Sequence, residues 1–432
     1  MESEIRKSLR EIGCFLVLLG LANPVLAQTD VYLKVYTKTF QRMTIDLYPF
    51  EGATNGTNSD VLSALITEVL KNDLWMSGYF SVSLRTGQPA TSNSTAAKNG
   101  GAIARLGGTY EISSRGVTMQ PSLVDNASGK TIIRSGYTGR RGNERRTIHR
   151  IADDVVYSLT GERGTALTQI AYVHQKQDGV KELAVMDYDG HNARILTSDK
   201  SIALSPAWSP DGRRLCYTSY KDERQNLYVI NLATATQFRI SNVTGLNSAP
   251  AWSPDGAKIA MTLSKDGNAE IYLLDVEKKS FTRLTYNRAI DSSPTWSPSN
   301  REIAFTSDRS GSPQIYIMGA EGLNIRRLTY EGSYNDSPTW SPRGDKIAYV
   351  SRTESGFDIY TIDAMGENQM RLTDSSSSNE DPYWAPNGFS LTFSSSRSGR
   401  QELYSMFWDG SDQKKITSGG VNYMPAWSPR LN

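Results

Sequence analysis

The chain has little of what small-site chemistry usually draws on: two cysteines and three histidines among 432 residues. Cys14 falls in an apolar leader, so Cys216 stands alone in the remainder, which excludes an intramolecular disulfide and a cysteine-based metal site. His149, His174 and His191 read as parts of a helix, a strand and a hairpin region, without the spacing of metal ligands. No Gly-x-Ser-x-Gly elbow occurs, which removes the serine hydrolases built on that turn. There is no phosphate loop or cofactor motif to support a solute-sensing role. Charge of one sign is also lacking: 47 basic against 45 acidic residues leave +2, so no global field draws the protein to nucleic acid or an anionic membrane.

Long apolar runs are absent too. The longest, Ile12 to Ala22, is too short for a permanent membrane span. With Arg6, Lys7 and Arg10 before it, Pro24 after it and "VLA" ahead of a cut following Ala27, residues 1–27 read as a secretory signal peptide. Export without disulfides points to a bacterial periplasm.

What is present in abundance is a ruler. Trp208, Trp252, Trp296, Trp340 and Trp384 are 44 residues apart, and Trp427 follows after 43. "LYVI" at Leu227, "IYLL" at Ile271 and "IYIM" at Ile315 keep the same step, as do the pairs Leu284-Thr285, Leu328-Thr329 and Leu372-Thr373. Each unit holds short alternating apolar runs bounded by Gly, Pro, Asp and Ser, the signature of four antiparallel strands joined by turns. In "SPDG", Pro presets the first corner, Asp bonds its own backbone and Gly takes positive φ. Four strands repeated six times predict a six-bladed β-propeller over residues 168–432.

The phase predicts how the ring closes. Ile170 to His174 matches the second strand of a unit with no Trp strand before it, while Pro425-Ala426-Trp427 has no strand after it. The last blade is therefore expected to combine the C-terminal strand with three strands from residues 170 to 197, which removes an open sheet edge. The tryptophans read as packing, and Cys216, in the slot of Ala260, Ala304 and Ala348, as a small core residue.

Residues 28–167 lack the ruler and read as a smaller α/β domain. "VYLKVY" and "MTIDLYPF" are expected strands, and Asn58 or Ser59 is the expected cap of a helix burying Val61, Leu62, Leu65, Ile66, Val69 and Leu70. Residues 88–100 read as a polar loop. A second helix from about Glu144 carries Ile148, Ile151, Ala152, Val155 and Leu159 and ends at Gly161. Arg140, Arg141, Arg145, Arg146 and Arg150 lack interleaved aromatics and read as a solvated helix face. Asp187-Tyr188-Asp189-Gly190 reads as a hairpin turn rather than a calcium loop.

The repeat, with the junction "HRIADDVVYSLTGERGTALTQIAYV", resembles the TolB family, periplasmic propeller proteins of the Tol-Pal system. The chain departs from the family in "GERGTAL", where an aromatic often follows the glycine. The resemblance implies a non-enzymatic scaffold that supports outer-membrane integrity and constriction during cell division. It implies a propeller bound by the peptidoglycan-associated lipoprotein Pal. It also implies an arm offered to TolA, here Gln28, Thr29, Asp30, Val31, Tyr32, Leu33, Lys34, Val35 and Tyr36.

Five residues before each Trp stand Ala203, Asn247, Asp291, Asn335, Asn379 and Asn422, followed by Leu204, Ser248, Ser292, Asp336, Glu380 and Tyr423. Their equivalence places them in rings at one mouth of the propeller, polar and varied as a protein-binding surface would be. The resemblance puts the lipoprotein contacts in these loops, most directly at Leu246, Asn247, Ser248 and Ala249 and at Asp291, Ser292 and Ser293. On this reading Asp291→Arg abolishes lipoprotein binding without lowering the melting temperature. No cofactor is expected, although Asp291, Asp336 and Glu380 could hold a cation such as calcium. The protein is expected to be monomeric, to bind no nucleic acid and to meet the outer membrane only through the lipoprotein. The alternative is an exported hydrolase with active carboxylates in the central channel.

Overall fold

The computed structural model describes residues 42–52, 57–87, 101–177, 179–374 and 377–431. The leader, the 28–36 arm with its expected strand and the 88–100 loop lie outside the described residues.

An α/β layer comes first: β1 (Met43–Gly52), α1 (Thr57–Met76), β2 (Phe80–Leu84), β3 (Ala104–Ser113), β4 (Gly116–Asp125), β5 (Thr131–Ile133), β6 (Tyr137–Arg140) and α2 (Glu144–Thr160). The sheet order is β2-β1-β3-β4-β5, with β6 also on β4. β1 runs parallel to β2 and β3, and the remaining pairs are antiparallel. Ile66, Val69, Leu70 and Leu74 of α1 and Ile148, Ile151 and Val155 of α2 are fully buried with Ile45, Phe80 and Leu106 of the sheet. Two expectations fail here. The first helix starts at Thr57, so Asn58 and Ser59 lie in its first turn rather than before it. Val61, assigned to the buried stripe, is 72% exposed, because the stripe that meets the sheet begins at Leu62. α2 ends as expected: Gly161 takes φ 76° and its N–H returns to the Tyr157 carbonyl.

The ring is six four-stranded sheets. Blade 1 runs Ala203–Trp208, Arg214–Ser219, Asn226–Asn231 and Gln237–Ser241 from the channel outward, and the inner strands of blades 2 to 5 are Asn247–Trp252, Asp291–Trp296, Asn335–Trp340 and Asn379–Trp384. Blade 6 is the expected composite. Val421–Trp427 pairs antiparallel with Gln169–Gln177, Asn422 opposite His174 and Trp427 opposite Ile170.

The tryptophans stitch neighbouring blades. The Trp208 indole N–H donates to the Ala426 carbonyl at 2.9 Å, Trp296 to Ala251 at 3.1 Å and Trp384 to Thr339 at 3.1 Å. These three rings are buried while their one polar atom is bonded, whereas the Trp252 N–H is buried without a partner and Trp340 donates within its own blade, to Gly344 at 3.3 Å. Cys216 is wholly buried opposite Ala207, and burial pushes its thiol far above the ordinary range. The layer's apolar core continues into blades 5 and 6 through Ile170, Met186, Tyr188, Phe407 and Trp427.

Candidate binding faces of the propeller

Every inner strand breaks register at the residue before its first proline. Ser205, Ala249, Ser293, Ser337, Asp381 and Met424 all have φ between 47° and 55°, in the left-handed region that non-glycine residues rarely adopt. The break lies between Ser248 and Ala251 in blade 2 and between Ser292 and Thr295 in blade 3, and it recurs in the other blades. Together with rings of Pro and Trp, these residues line a channel of about 540 Å³. Asp381 is the one carboxylate among the lining residues. It accepts hydrogen bonds from the Ser394 hydroxyl at 2.8 Å and the Met424 N–H at 3.2 Å. Enclosure in the ring raises it to about 6, against the pull of those two donors.

At the mouth, the first position of each ring is a buried bracket and not a loop tip. Asn247, Asp291, Asn335 and Asn379 are 0% exposed and Asn422 is 1%. Asn335 donates to Gln314 Oε1 at 2.8 Å, Asn379 to Asp358 Oδ1 at 3.0 Å and Asn422 to Glu402 Oε2 at 2.9 Å. Each partner belongs to the third strand of the preceding blade, where a threonine also holds it: Thr329 at 2.8 Å, Thr373 at 2.7 Å and Thr417 at 2.6 Å. That threonine in turn accepts a backbone N–H, as from Ile315 at 3.0 Å. The recurring Leu-Thr pair is therefore the clasp of an outer strand, and the polar ring joins it to the next blade. Glu270 makes the same clasp in blade 2. Burial pushes its carboxyl up, but the Asn287 N–H, the Thr285 hydroxyl and Arg283 outweigh that and hold it below the usual range.

Asp291 is the variant of this ring that carries charge. Arg309 meets it at 2.8 Å and Asn287 donates to it at 2.7 Å. The expectation that Asp291 faces a partner is thus overturned by its burial. The second positions do reach solvent: Ser248, Ser292, Asp336, Glu380 and Tyr423 are half-buried, as are Leu246, Ala249 and Ser293. Of the carboxylates named for a cation, Asp291 is buried on Arg309, Asp336 accepts from Thr306 at 2.7 Å and Glu380 from Ser378 at 2.5 Å.

Sequence reading missed the most exposed apolar groups of this rim. Tyr286 and Tyr330 are each 73% exposed and Ile290 54%, in the loops that lead into blades 3 and 4. Arg283 lies 4.6 Å from the Tyr286 ring centre and Arg327 4.9 Å from that of Tyr330. The signal was present as Thr-Tyr at two successive units, where the other units carry Ser, Asn or Asp after the Thr or Ser.

The opposite face carries the α/β layer. Trp75 of α1 packs edge-on against Phe407 of blade 5, and its indole N–H donates to Asp412 at 2.5 Å. Tyr79 sits edge-on to Phe389 at 5.0 Å. Arg145, read as part of a solvated face, instead pairs with Asp189 at 2.6 Å, while Arg140, Arg141, Arg146 and Arg150 are exposed as expected. The 187–190 turn is a hairpin, closed by the Asp187 N–H on the His191 carbonyl at 2.8 Å. Among the described residues, Asp73, His149 and Asp189 form the one group whose potential ligand atoms lie within 4.8 Å of one another. His149 Nδ1 is spent on Asp73 at 2.7 Å, and the Arg145 guanidinium occupies Asp189, so this is a salt-bridge cluster and not a vacant metal centre.

The fold is that of a six-bladed β-propeller with an α/β layer on one face; among the described residues no helix is long and apolar enough to cross a membrane. The model of the TolB beta propeller domain family matches residues 156–431. The chain belongs to that family. It is 39% identical over 209 residues to the Tol-Pal system protein TolB of Geobacter sulfurreducens, covering 46% of this chain and 48% of that protein. It is 34% identical over 243 residues to the protein of the same name from Nitrosomonas europaea, covering 55% of each. The matches thus span about half the length of these curated relatives. The crystal structure of TolB from Acinetobacter baumannii superposes over 90% of this chain and 97% of that one, with a TM-score of 0.77 and 29% identity.

Proposed function

We propose that the chain is a non-enzymatic periplasmic scaffold of the Tol-Pal envelope system, acting in outer-membrane integrity and in constriction at division. Its propeller mouth takes the peptidoglycan-associated lipoprotein Pal, and residues 28–36 are the arm taken by TolA. Family membership and the names of the relatives support the system. The observation that carries the mouth is the exposed Tyr286, Ile290 and Tyr330 beside half-buried Ser292 and Asp336, above buried brackets that hydrogen-bond within the ring. Rigid, amphipathic tyrosines of this kind are the usual anchors of protein interfaces. The hydrolase alternative needs paired carboxylates, and the channel lining offers Asp381 alone.

The test is titration calorimetry with the periplasmic domain of Pal. Ser292→Arg and Tyr330→Ala are expected to weaken binding at least tenfold, about 1.4 kcal/mol or more, with unchanged melting temperatures. Wild-type affinity in both variants removes this face. Deleting residues 28–36 is expected to abolish capture of TolA and to leave Pal binding intact.

A further inference from the structure

Three elements meet where the α/β layer sits on blade 6: the last turns of α1, the first turns of α2 and the 187–191 hairpin. The His149 ring, 2% exposed, lies between two carboxylates, with Nδ1 2.7 Å from Asp73 and Nε2 3.5 Å from Asp189. Arg145 presents Nε at 2.8 Å and a terminal nitrogen at 2.6 Å to the same Asp189 oxygen. The Tyr188 hydroxyl donates to Asp73 at 2.5 Å and accepts from Asn72 at 3.0 Å. The other titratable neighbours are Asp153, which accepts the N–H groups of Ala166 at 2.8 Å and Leu167 at 3.2 Å, and the exposed His191 ring, 3.4 Å from Asp189.

The charges decide the protonation state. The buried carboxylates Asp73 and Asp189 flank the ring and Asp153 lies nearby, against the single cation Arg145, so a neutral His149 leaves uncompensated negative charge in the interface, a costly arrangement. A protonated ring offsets one of these negative charges and gives Nε2, which makes no hydrogen bond of normal length, a proton to direct at Asp189.

We propose that His149 is a proton-controlled latch holding the α/β layer on the propeller: the charged ring ties Asp73 of the layer to Asp189 of blade 6, and its deprotonation loosens the seat. Burial opposes the charge on His149, but Asp73 and Asp189 outweigh it and hold the ring above the usual imidazole range. Burial likewise pushes Asp73 up, and Asp153 to about 6, against the pull of their donors. Each of these groups binds a proton more tightly in the docked state than free in water. The contribution of His149 to docking is therefore fully present below the unperturbed histidine value and is lost as pH rises through the raised one.

Hydrogen exchange of the full-length protein, corrected for intrinsic rates, tests this from about pH 6 to about pH 9. Protection of the end of α1 and of the 187–191 turn is expected to fall with pH, roughly tenfold for each unit by which the His149 pKa is raised, while blades 2 to 4 stay unchanged. His149→Gln can still donate to Asp73 but carries no charge, so its exchange should be fast and lack the pH step. Asp189→Asn should move the step to lower pH, and His191→Gln should leave it in place. A flat wild-type profile, a step that survives His149→Gln, or one that disappears with His191→Gln overturns the latch. Should His149→Gln fail to fold, an unshifted step in Asp189→Asn does so equally.

Discussion

Asp291 is where burial and sequence reading part most sharply, and its substitutions can be graded from the geometry. The carboxylate is wholly buried and bonded to Arg309 and Asn287. In blade 5 the equivalent Asn379 accepts from Arg397, the counterpart of Arg309, at the same 2.8 Å. Asp291→Asn therefore keeps the acceptor and gives up only the charge assistance, a loss of about 1 kcal/mol. Asp291→Ala leaves the Arg309 guanidinium, whose side chain is 23% exposed, without its counter-ion, which costs about 1.5–3 kcal/mol. Asp291→Arg adds a second cation to that site and must exceed the alanine variant. For a domain of this size about 2–4 °C is lost per kcal/mol, so scanning calorimetry should rank the melting temperatures wild type, Asn, Ala, Arg, with the alanine variant about 3–12 °C down. An arginine variant that melts like wild type, or an asparagine variant as damaged as the alanine one, refutes the bracket.

The closing strand and the channel give two further outcomes. Removing residues 421–432 takes away the inner strand of blade 6, including Trp427, 3% exposed and bonded to Thr168 at 2.7 Å. Trp427→Ala alone should cost about 3–5 kcal/mol, and the deletion more, read as the midpoint of urea unfolding; an unchanged midpoint for the deletion would sink the closure. Asp381 is raised to about 6, so its ionisation opposes folding above that pH. Asp381→Asn keeps an acceptor for Ser394 and Met424 and should raise stability by about 1–3 kcal/mol near pH 8, with the gain vanishing below about pH 4. A gain independent of pH would mean that the carboxylate is not the cause.

The ring was legible because its period is long, marked three times and fixed by packing. Trp208 and its equivalents recur since each indole packs buried at the end of an inner strand, three of them donating to the preceding blade, and Thr329 and its equivalents recur since they clasp outer strands. The role of the polar ring was not legible. Asn and Asp are favoured both at loop tips and wherever a short side chain satisfies buried donors and acceptors, and composition does not separate the two. Nor did the sequence announce the bulge before each proline. A residue preceding proline is biased toward extended backbone, yet Ser205, Asp381 and their equivalents all take positive φ.

The junction on the far face was illegible for a different reason: its residues come from positions 73, 149 and 189, on a helix, a second helix and a hairpin with no common period. The structure also ties this junction to ring closure. Tyr188, which donates to Asp73, stacks on Trp427 at 6.2 Å between ring centres. Trp427 lies on the last strand, and Arg430 just beyond it donates to the Gly164 carbonyl at 3.2 Å. The strand that completes blade 6 therefore also supports the seat of the α/β layer. Opening the ring at that strand removes a wall of the pocket around His149, whereas opening it between blades 2 and 3 leaves that pocket whole.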